Sequence, residues 1–141
     1  MNLLLIIVAL ILVNALYVAA EFAVVSIRRS RIDQLAEEGK VDVEKPIDSY
    51  LPALRHTEWA GTRVIDVLDM ASGMDIIENQ AGRENPRSVI TRYNLAASGE
   101  KNADGEKEKL FELIRSAKRS GPAGKAFEYS SINTTLLALL A

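Results

Sequence analysis

The sequence contains no cysteine and only one histidine, and this scarcity excludes several kinds of chemistry. Without cysteine there is no disulfide, no thiol nucleophile and no thiolate zinc site. A Ser-His-Asp triad would have to use His56, because that is the single imidazole available. His56 lies in a polar stretch, residues 54–58, with no triad-like surroundings, and we interpret it as a solvated loop residue.

The sequence also lacks a large excess of either positive or negative charge, with 17 Lys and Arg against 19 Asp and Glu. The formal net charge is −2, so no basic surface indicates nucleic acid as a partner. The sequence shows neither metal-ligand spacing nor a phosphate-binding glycine loop, and it therefore predicts no metal and no cofactor. The charges are also unevenly placed, because Glu21 is the only charged side chain in residues 1–27.

Residues 3–27 are predicted to form one transmembrane helix. Residues 3–13 are all apolar, and 25 residues at about 1.5 Å each span roughly 37 Å, enough to cross a bilayer. Arginines follow this segment at Arg28, Arg29 and Arg31, which predicts a single-pass membrane protein with its N-terminus outside and its C-terminal part in the cytoplasm. The alternative is a signal peptide cleaved after 18–20, but the positive charges stand on the wrong side for that.

Two polar residues in this segment, Asn14 and Glu21, lie seven positions apart and therefore on one helix face. A carboxylate within a membrane helix usually faces a partner, a cavity or an ion. Glu21 could equally lie near the membrane interface and extend its carboxylate into water. Both interpretations of Glu21 stay open at this point.

Residues 12–31 and 34–39 closely resemble the first transmembrane helix of the CNNM/CorC magnesium-transporter and haemolysin-like family. The resemblance implies cation transport, with Asn14 and Glu21 as one wall of an ion site. That family needs further membrane helices, and no second apolar stretch of 18 residues occurs in this sequence.

The rest of the sequence predicts short helices and turns. Thr62 is predicted to cap a helix that ends at Gly73, and a second helix is predicted over 106–119, with a third from Ser131 to the end of the sequence. Residues 79–85 and 98–105 are predicted to be polar loops. The apolar residues that recur at helical spacing are Val64, Val67, Leu68 and Ala71 in the first helix and Leu110, Leu113, Ile114 and Ala117 in the second.

Three stretches of this part, residues 39–47 with 50–52, 64–74 and 121–134, together resemble the serine β-lactamase-like superfamily, and most of all class C-type esterases and aminohexanoate-dimer hydrolases. The resemblance implies a nucleophilic serine, a lysine one helical turn later and a tyrosine that relays the proton. It places Tyr129 at the first position of the Tyr-x-Asn motif and Ser131 at the third, where asparagine is usual. Tyr129 could instead be a half-buried packing residue.

The Ser-x-x-Lys segment is expected just before residue 38, where this chain has the transporter-like helix. Ser26 with Arg29 cannot replace it, because arginine is not a base at neutral pH. Ser98 and Lys101 match the spacing, but they lie in a polar loop, and we interpret the match as chance. The Lys-Thr-Gly strand of the family is absent too, so the fragment is predicted to be inactive alone.

The sequence therefore predicts a mostly α-helical chain in three parts. Residues 1–27 are predicted to be a transmembrane helix. Residues 28–39 are predicted to be a basic juxtamembrane helix that contains the junction between the CNNM/CorC-like and the hydrolase-like parts. Residues 40–141 are predicted to be a truncated helical subdomain of a β-lactamase-like fold. The leading hypothesis is a membrane-anchored fragment of a serine hydrolase, with the lipid bilayer as partner and a small amide or ester as substrate if the absent segments are supplied. The alternatives are a truncated CNNM/CorC-type cation-transport protein and a non-catalytic anchoring or binding protein.

Overall fold

The computed structural model describes residues 3–76 and 78–140, and within the first helix it describes the side chains of 4–20, 23 and 29–37. These residues form helices joined by turns, with isolated β-bridges at Pro46–Arg63 and Met74–Arg119. The α-helices are α1 Leu3–Glu37, α2 Val64–Leu68, α3 Gln80–Glu84, α4 Val89–Ala97, α5 Leu110–Ser116 and α6 Ser131–Ala138, and two 3-10 helices cover Ile47–Ser49 and Pro52–Leu54.

Helix α1 has two parts with different surroundings. Its last turns carry Ile32 and Leu35, which are 0% and 6% exposed and belong to the main apolar core. Helix α1 contacts α6, and Ile132 and Leu136 of α6 belong to the same core. The apolar side chains of the first turns of α1, from Leu4 to Val18, are largely exposed. The C-terminal end of α1 is therefore part of the globular fold.

The predicted transmembrane helix is wrong. Over the residues that the structure describes, no helix combines the length and the apolar composition that crossing a membrane requires. The mostly helical fold is observed, but its membrane-spanning first element and the single-pass localisation derived from that element are not supported.

The core forms where α1, α2, α4, α5 and α6 meet the loop around Trp59. Trp59 is fully buried, and its indole Nε1 donates a hydrogen bond to the carbonyl oxygen of Ile114, 2.7 Å away. A buried indole needs such a partner, because an unpaired N–H in the core costs free energy. This bond joins the loop before α2 to the end of α5. His56, three residues earlier, is exposed in a turn, as predicted.

The three helices predicted in the second part of the chain are all present, but each is shorter than predicted. Helix α2 begins after Arg63, because Thr62 does not cap it. The Thr62 hydroxyl instead accepts a hydrogen bond from Arg119 Nη2 at 2.7 Å. Helix α5 begins only at Leu110, since the side chain of Asn102 accepts hydrogen bonds from the backbone of Asp104 and Glu106 and folds that segment into a turn.

The segment 79–85, predicted to be a loop, contains helix α3. The Asn79 side chain accepts a hydrogen bond from the Gly82 N–H at 2.8 Å and so begins this helix, as asparagine does at many helix N-termini. Helix α4 was not predicted either. It begins at the Ser88 cap, whose hydroxyl accepts a hydrogen bond from the Thr91 N–H.

Candidate active site

Tyr129 lies on an irregular segment that leads into α6, and residues 70–71 hold this segment in place. The N–H of Glu128 donates to the carbonyl oxygen of Met70 at 2.6 Å, and the N–H of Gly124 donates to that of Ala71 at 2.7 Å. Two backbone hydrogen bonds therefore fix the path of the chain directly before Tyr129.

Met70 has a left-handed backbone, with φ of 54°, which is uncommon for a residue other than glycine. Its side chain is buried, and its sulfur accepts a hydrogen bond from Asn133 Nδ2 at 3.6 Å. Asn133 is fully buried in α6. The strained turn after α2 is thus packed directly against the first turn of the helix that follows Tyr129.

The first turn of α6 uses two side chains as caps. The Ser130 hydroxyl accepts a hydrogen bond from the Ile132 N–H at 3.2 Å, as an N-cap serine does. The N–H of Ser131 donates to the carboxylate of Glu78, whose side chain is 8% exposed. The contact of Ser131 with Glu78 is therefore made by the backbone N–H and not by the hydroxyl. It places the carboxylate of Glu78 at the N-terminus of α6.

Tyr129 remains accessible from outside. The residue is 36% exposed, whereas Ser130 next to it is fully buried. Phe127, two positions earlier, is 74% exposed. Tyr129 and Ser131 lie on either side of the buried Ser130 cap, and nothing in the geometry assigns them catalytic roles. Those roles stay predictions.

Helix α1 passes beside the turn that carries Met70. Arg29 Nη2 lies 3.3 Å from Asp69 Oδ1, and both side chains are more than half exposed. This contact places the C-terminal half of α1 near the C-terminal end of α2. Ser26 precedes Arg29 by three residues and therefore lies one helical turn earlier, but its side chain is outside the described ones.

Ser98 and Lys101 lie outside this arrangement. Both are exposed, and Ser98 ends α4 while Lys101 is in the following loop. A nucleophile and its base need a rigid seat in which both side chains are held by packing. The exposed side chains of Ser98 and Lys101 are not held in this way. This agrees with a chance match to the Ser-x-x-Lys spacing.

An ion pair lies against the loop before Tyr129, and its carboxylate is buried: the Asp66 side chain is 7% exposed, whereas that of Arg63 is 45% exposed. Arg63 donates to both carboxylate oxygens of Asp66, at 3.0 and 2.7 Å, and also to Glu44 at 2.7 Å. The hydrogen bond to Asp66 is the largest cause of the raised pKa of Arg63. Gly124 lies against this pair, and a Cβ there would be 2.8 Å from Asp66 Oδ1. Only glycine fits this approach at its φ of 75°.

Metal binding gains no support from the described side chains, among which no group of three or more His, Asp or Glu residues is arranged around a common point. Asn14 is exposed on α1, and the side chain of Glu21 lies outside the described ones. The described residues therefore give no support to the ion site that the transporter resemblance implies.

The segment that carries the turn after α2, helix α6 and Tyr129 matches a known protein family. Residues 31–141 match the Beta-lactamase protein family, and this chain belongs to it. The match begins inside α1, just before the buried Ile32. Residues 1–30 lie outside it, and the resemblance of residues 1–39 to CNNM/CorC proteins gains no support from the comparisons.

Two relatives give the resemblance more detail. The chain is 29% identical over 107 residues to a 6-aminohexanoate-dimer hydrolase of Paenarthrobacter ureafaciens, covering 76% of this chain and 26% of the relative. It also matches a solved structure from Bacillus anthracis described as "Putative 6-aminohexanoate-dimer hydrolase", with a TM-score of 0.67 and 27% identity, covering 84% of this chain and 31% of the other. The sequence spans about a quarter to a third of these relatives, so it carries part of a β-lactamase-like hydrolase.

Two residues of this site were missed from the sequence. Glu78 lies in an irregular segment, and no local pattern indicates that its carboxylate reaches α6, 53 positions further on. Asn133 was part of a matched stretch, but helical spacing does not show that an asparagine is fully buried. Both contacts join residues far apart in sequence, which periodicity cannot detect.

Proposed function

We propose that this chain supplies the tyrosine-bearing part of a serine hydrolase site that acts on small amides or esters. The observation that carries the proposal is the way the backbone around Tyr129 is fixed. Hydrogen bonds to residues 70–71 hold the segment before Tyr129, and the Ser130 cap holds the start of α6 after it. The partial exposure of Tyr129 leaves the phenol accessible to a reacting group. The 6-aminohexanoate-dimer hydrolases among its relatives favour a linear amide as the substrate class.

In this proposal the Tyr129 hydroxyl passes the proton between the nucleophilic serine and the group that leaves or attacks. Ser131 contributes its backbone amide at the start of α6, and its side chain has no assigned chemistry. The serine and lysine are not Ser98 and Lys101, because both are exposed beyond α4. Residues 1–141 alone are therefore expected to show no turnover, since a nucleophile, base and relay act as one unit.

The test is complementation. The 141-residue chain is mixed with a second polypeptide that carries the Ser-x-x-Lys segment and the Lys-Thr-Gly strand of a full-length family member, and hydrolysis of p-nitrophenyl acetate and of a linear amide dimer is measured. We expect no turnover from either polypeptide alone and turnover from the mixture.

The Tyr129→Phe chain should restore less than about 1% of that turnover, because loss of one member of such a unit removes most of its effect. Tyr17→Phe is the matched control, since Tyr17 is 70% exposed on α1 and lies outside the family match. Equal turnover with Tyr129→Phe and Tyr17→Phe would contradict the relay, and a mixture that binds but never hydrolyses would favour a non-catalytic binding protein.

A further inference from the structure

We infer that Glu78 is a positioning residue, whose carboxylate fixes the N-terminus of α6 and thereby holds the Tyr129–Ser131 turn. The inference rests on the proposed function where it treats the Tyr129–Ser131 turn as part of an active site. The contact itself is independent of any activity, because it is a hydrogen bond from the Ser131 N–H to Glu78 Oε1.

The surroundings of Glu78 are unusual for a carboxylate. Its side chain is 8% exposed, although glutamate is rarely buried without partners. Its second oxygen, Oε2, lies 3.7 Å from Arg83 Nη2, and the Arg83 side chain is 63% exposed. The backbone amide of Ser131 is therefore the closer and better shielded of the two partners, and the carboxylate is directed at α6.

The location of this carboxylate matches the electrostatics of a helix start. The first N–H groups of a helix have no partner within the helix, and the N-terminus carries a partial positive charge. Ser130 satisfies the N–H of Ile132, and Glu78 satisfies that of Ser131. A charged acceptor at this point stabilises the turn more than a neutral one does.

The segment that contains Glu78 is itself anchored elsewhere in the fold. The N–H of Asp75 donates to the carbonyl oxygen of Lys118 at 2.7 Å, and Met74 forms a β-bridge with Arg119. The segment that contains Glu78 thus contacts the residues after α5 through Met74 and Asp75, and the start of α6 through Glu78. Since Tyr129 precedes Ser131 by two residues, we expect a shift of the Ser131 amide to move the Tyr129 ring as well.

The experiment compares Glu78→Ala and Glu78→Gln in the isotope-labelled 141-residue chain by NMR. Glu84→Ala and Glu84→Gln are matched controls, because Glu84 is an exposed carboxylate that accepts a hydrogen bond from Gln80 within α3. The readouts are hydrogen exchange at the Ser131 amide and the ring shifts of Tyr129.

In Glu78→Ala we expect the Ser131 amide to exchange about tenfold faster or more, as loss of a charge-assisted hydrogen bond implies. Its proton should move upfield, and the Tyr129 ring shifts should change. Glu78→Gln, which keeps an acceptor, should show a smaller acceleration. The Glu84 variants should change none of these readouts.

Unchanged Ser131 exchange and unchanged Tyr129 shifts in both Glu78 variants would overturn the inference. If Glu78→Ala unfolds the chain, the inference is tested by comparing Glu78→Gln with Glu84→Gln, using Ser131 amide exchange and the Tyr129 ring shifts. Failure of the complemented chain to hydrolyse any substrate would count against the proposed function alone, because the NMR comparison does not depend on turnover.

Discussion

A Cβ atom on Gly73 would lie 2.4 Å from the carbonyl oxygen of Gly121. The two backbones approach this closely because the carbonyl oxygen of Gly73 accepts hydrogen bonds from the N–H groups of Ser120 and Gly121, at 2.9 and 3.1 Å. Gly73 also has a φ of 70°, which favours glycine. This contact begins the pairing between residues 70–73 and 120–128 that ends beside Tyr129.

Replacement of Gly73 by alanine tests this contact. Gly73→Ala should lower the free energy of unfolding by about 3 kcal/mol, since it adds a backbone collision to the cost of a left-handed alanine. The control is Gly99→Ala, because Gly99 has a similar φ of 73° but no atom within 4 Å of its Cβ position; it should cost about 1 kcal/mol. Urea unfolding measures both, and equal losses would show that the close approach does not contribute.

The buried end of α1 gives a second prediction. Ile32→Ala should destabilise the fold by about 2–4 kcal/mol, because the removed side chain is fully buried and leaves a cavity. Ile11→Ala makes the same change at a residue that is 61% exposed on the same helix, and should change stability by less than about 0.5 kcal/mol. Thermal unfolding of the two variants against the unmodified chain is the measurement. Similar losses for both would mean that the C-terminal end of α1 is not part of the hydrolase core.

The Arg92–Glu108 pair predicts a dependence on pH. Arg92 Nε donates to Glu108 Oε2 at 2.9 Å, and hydrogen bonding from Arg92 is the main cause that holds the pKa of Glu108 below its ordinary value of 4.5, against the opposing effect of burial. A carboxyl with a lowered folded-state pKa stabilises the fold above the unfolded value, and this contribution is lost as the pH falls through the folded-state pKa.

Glu108→Gln should therefore lower the free energy of unfolding at pH 7 by about 1 kcal/mol, and the difference from the unmodified chain should shrink as the pH is taken below 4.5. Glu100→Gln, an exposed carboxylate in the neighbouring loop, should show no such trend. A difference that stays constant from pH 7 to pH 3 would contradict the role assigned to the pair.

The sequence predicted the apolar positions of the second part of the chain well, because helical spacing reports directly on burial. Leu113, Ile114 and Ala117 are all at most 2% exposed, as the periodicity of α5 indicates. It predicted helix boundaries poorly, since these depend on individual side-chain hydrogen bonds. Thr62 looked like a cap but is a partner of Arg119, whereas Asn79 looked like part of a loop but is a cap.

The first helix shows why a local apolar pattern was misleading. Its composition predicted a membrane element with the hydrolase beginning after residue 39, but the family match begins at residue 31, and Ile32 and Leu35 lie in the core. Burial of these two residues depends on contact with α6, about 100 positions later, which no window of sequence contains. The domain boundaries 1–27, 28–39 and 40–141 stay a prediction.

The central claim is that the chain carries the tyrosine-bearing part of a hydrolase site without an activated serine of its own. The most direct measurement is the stoichiometry of labelling of the 141-residue chain by a fluorophosphonate probe, read by intact mass and peptide mapping. We expect labelling no higher than in a heat-denatured control, since Ser98 is an exposed loop residue and Ser26 has arginine in place of a base one turn later. Stoichiometric labelling at either serine, lost when that serine is replaced by alanine, would contradict the account and make the chain an enzyme by itself.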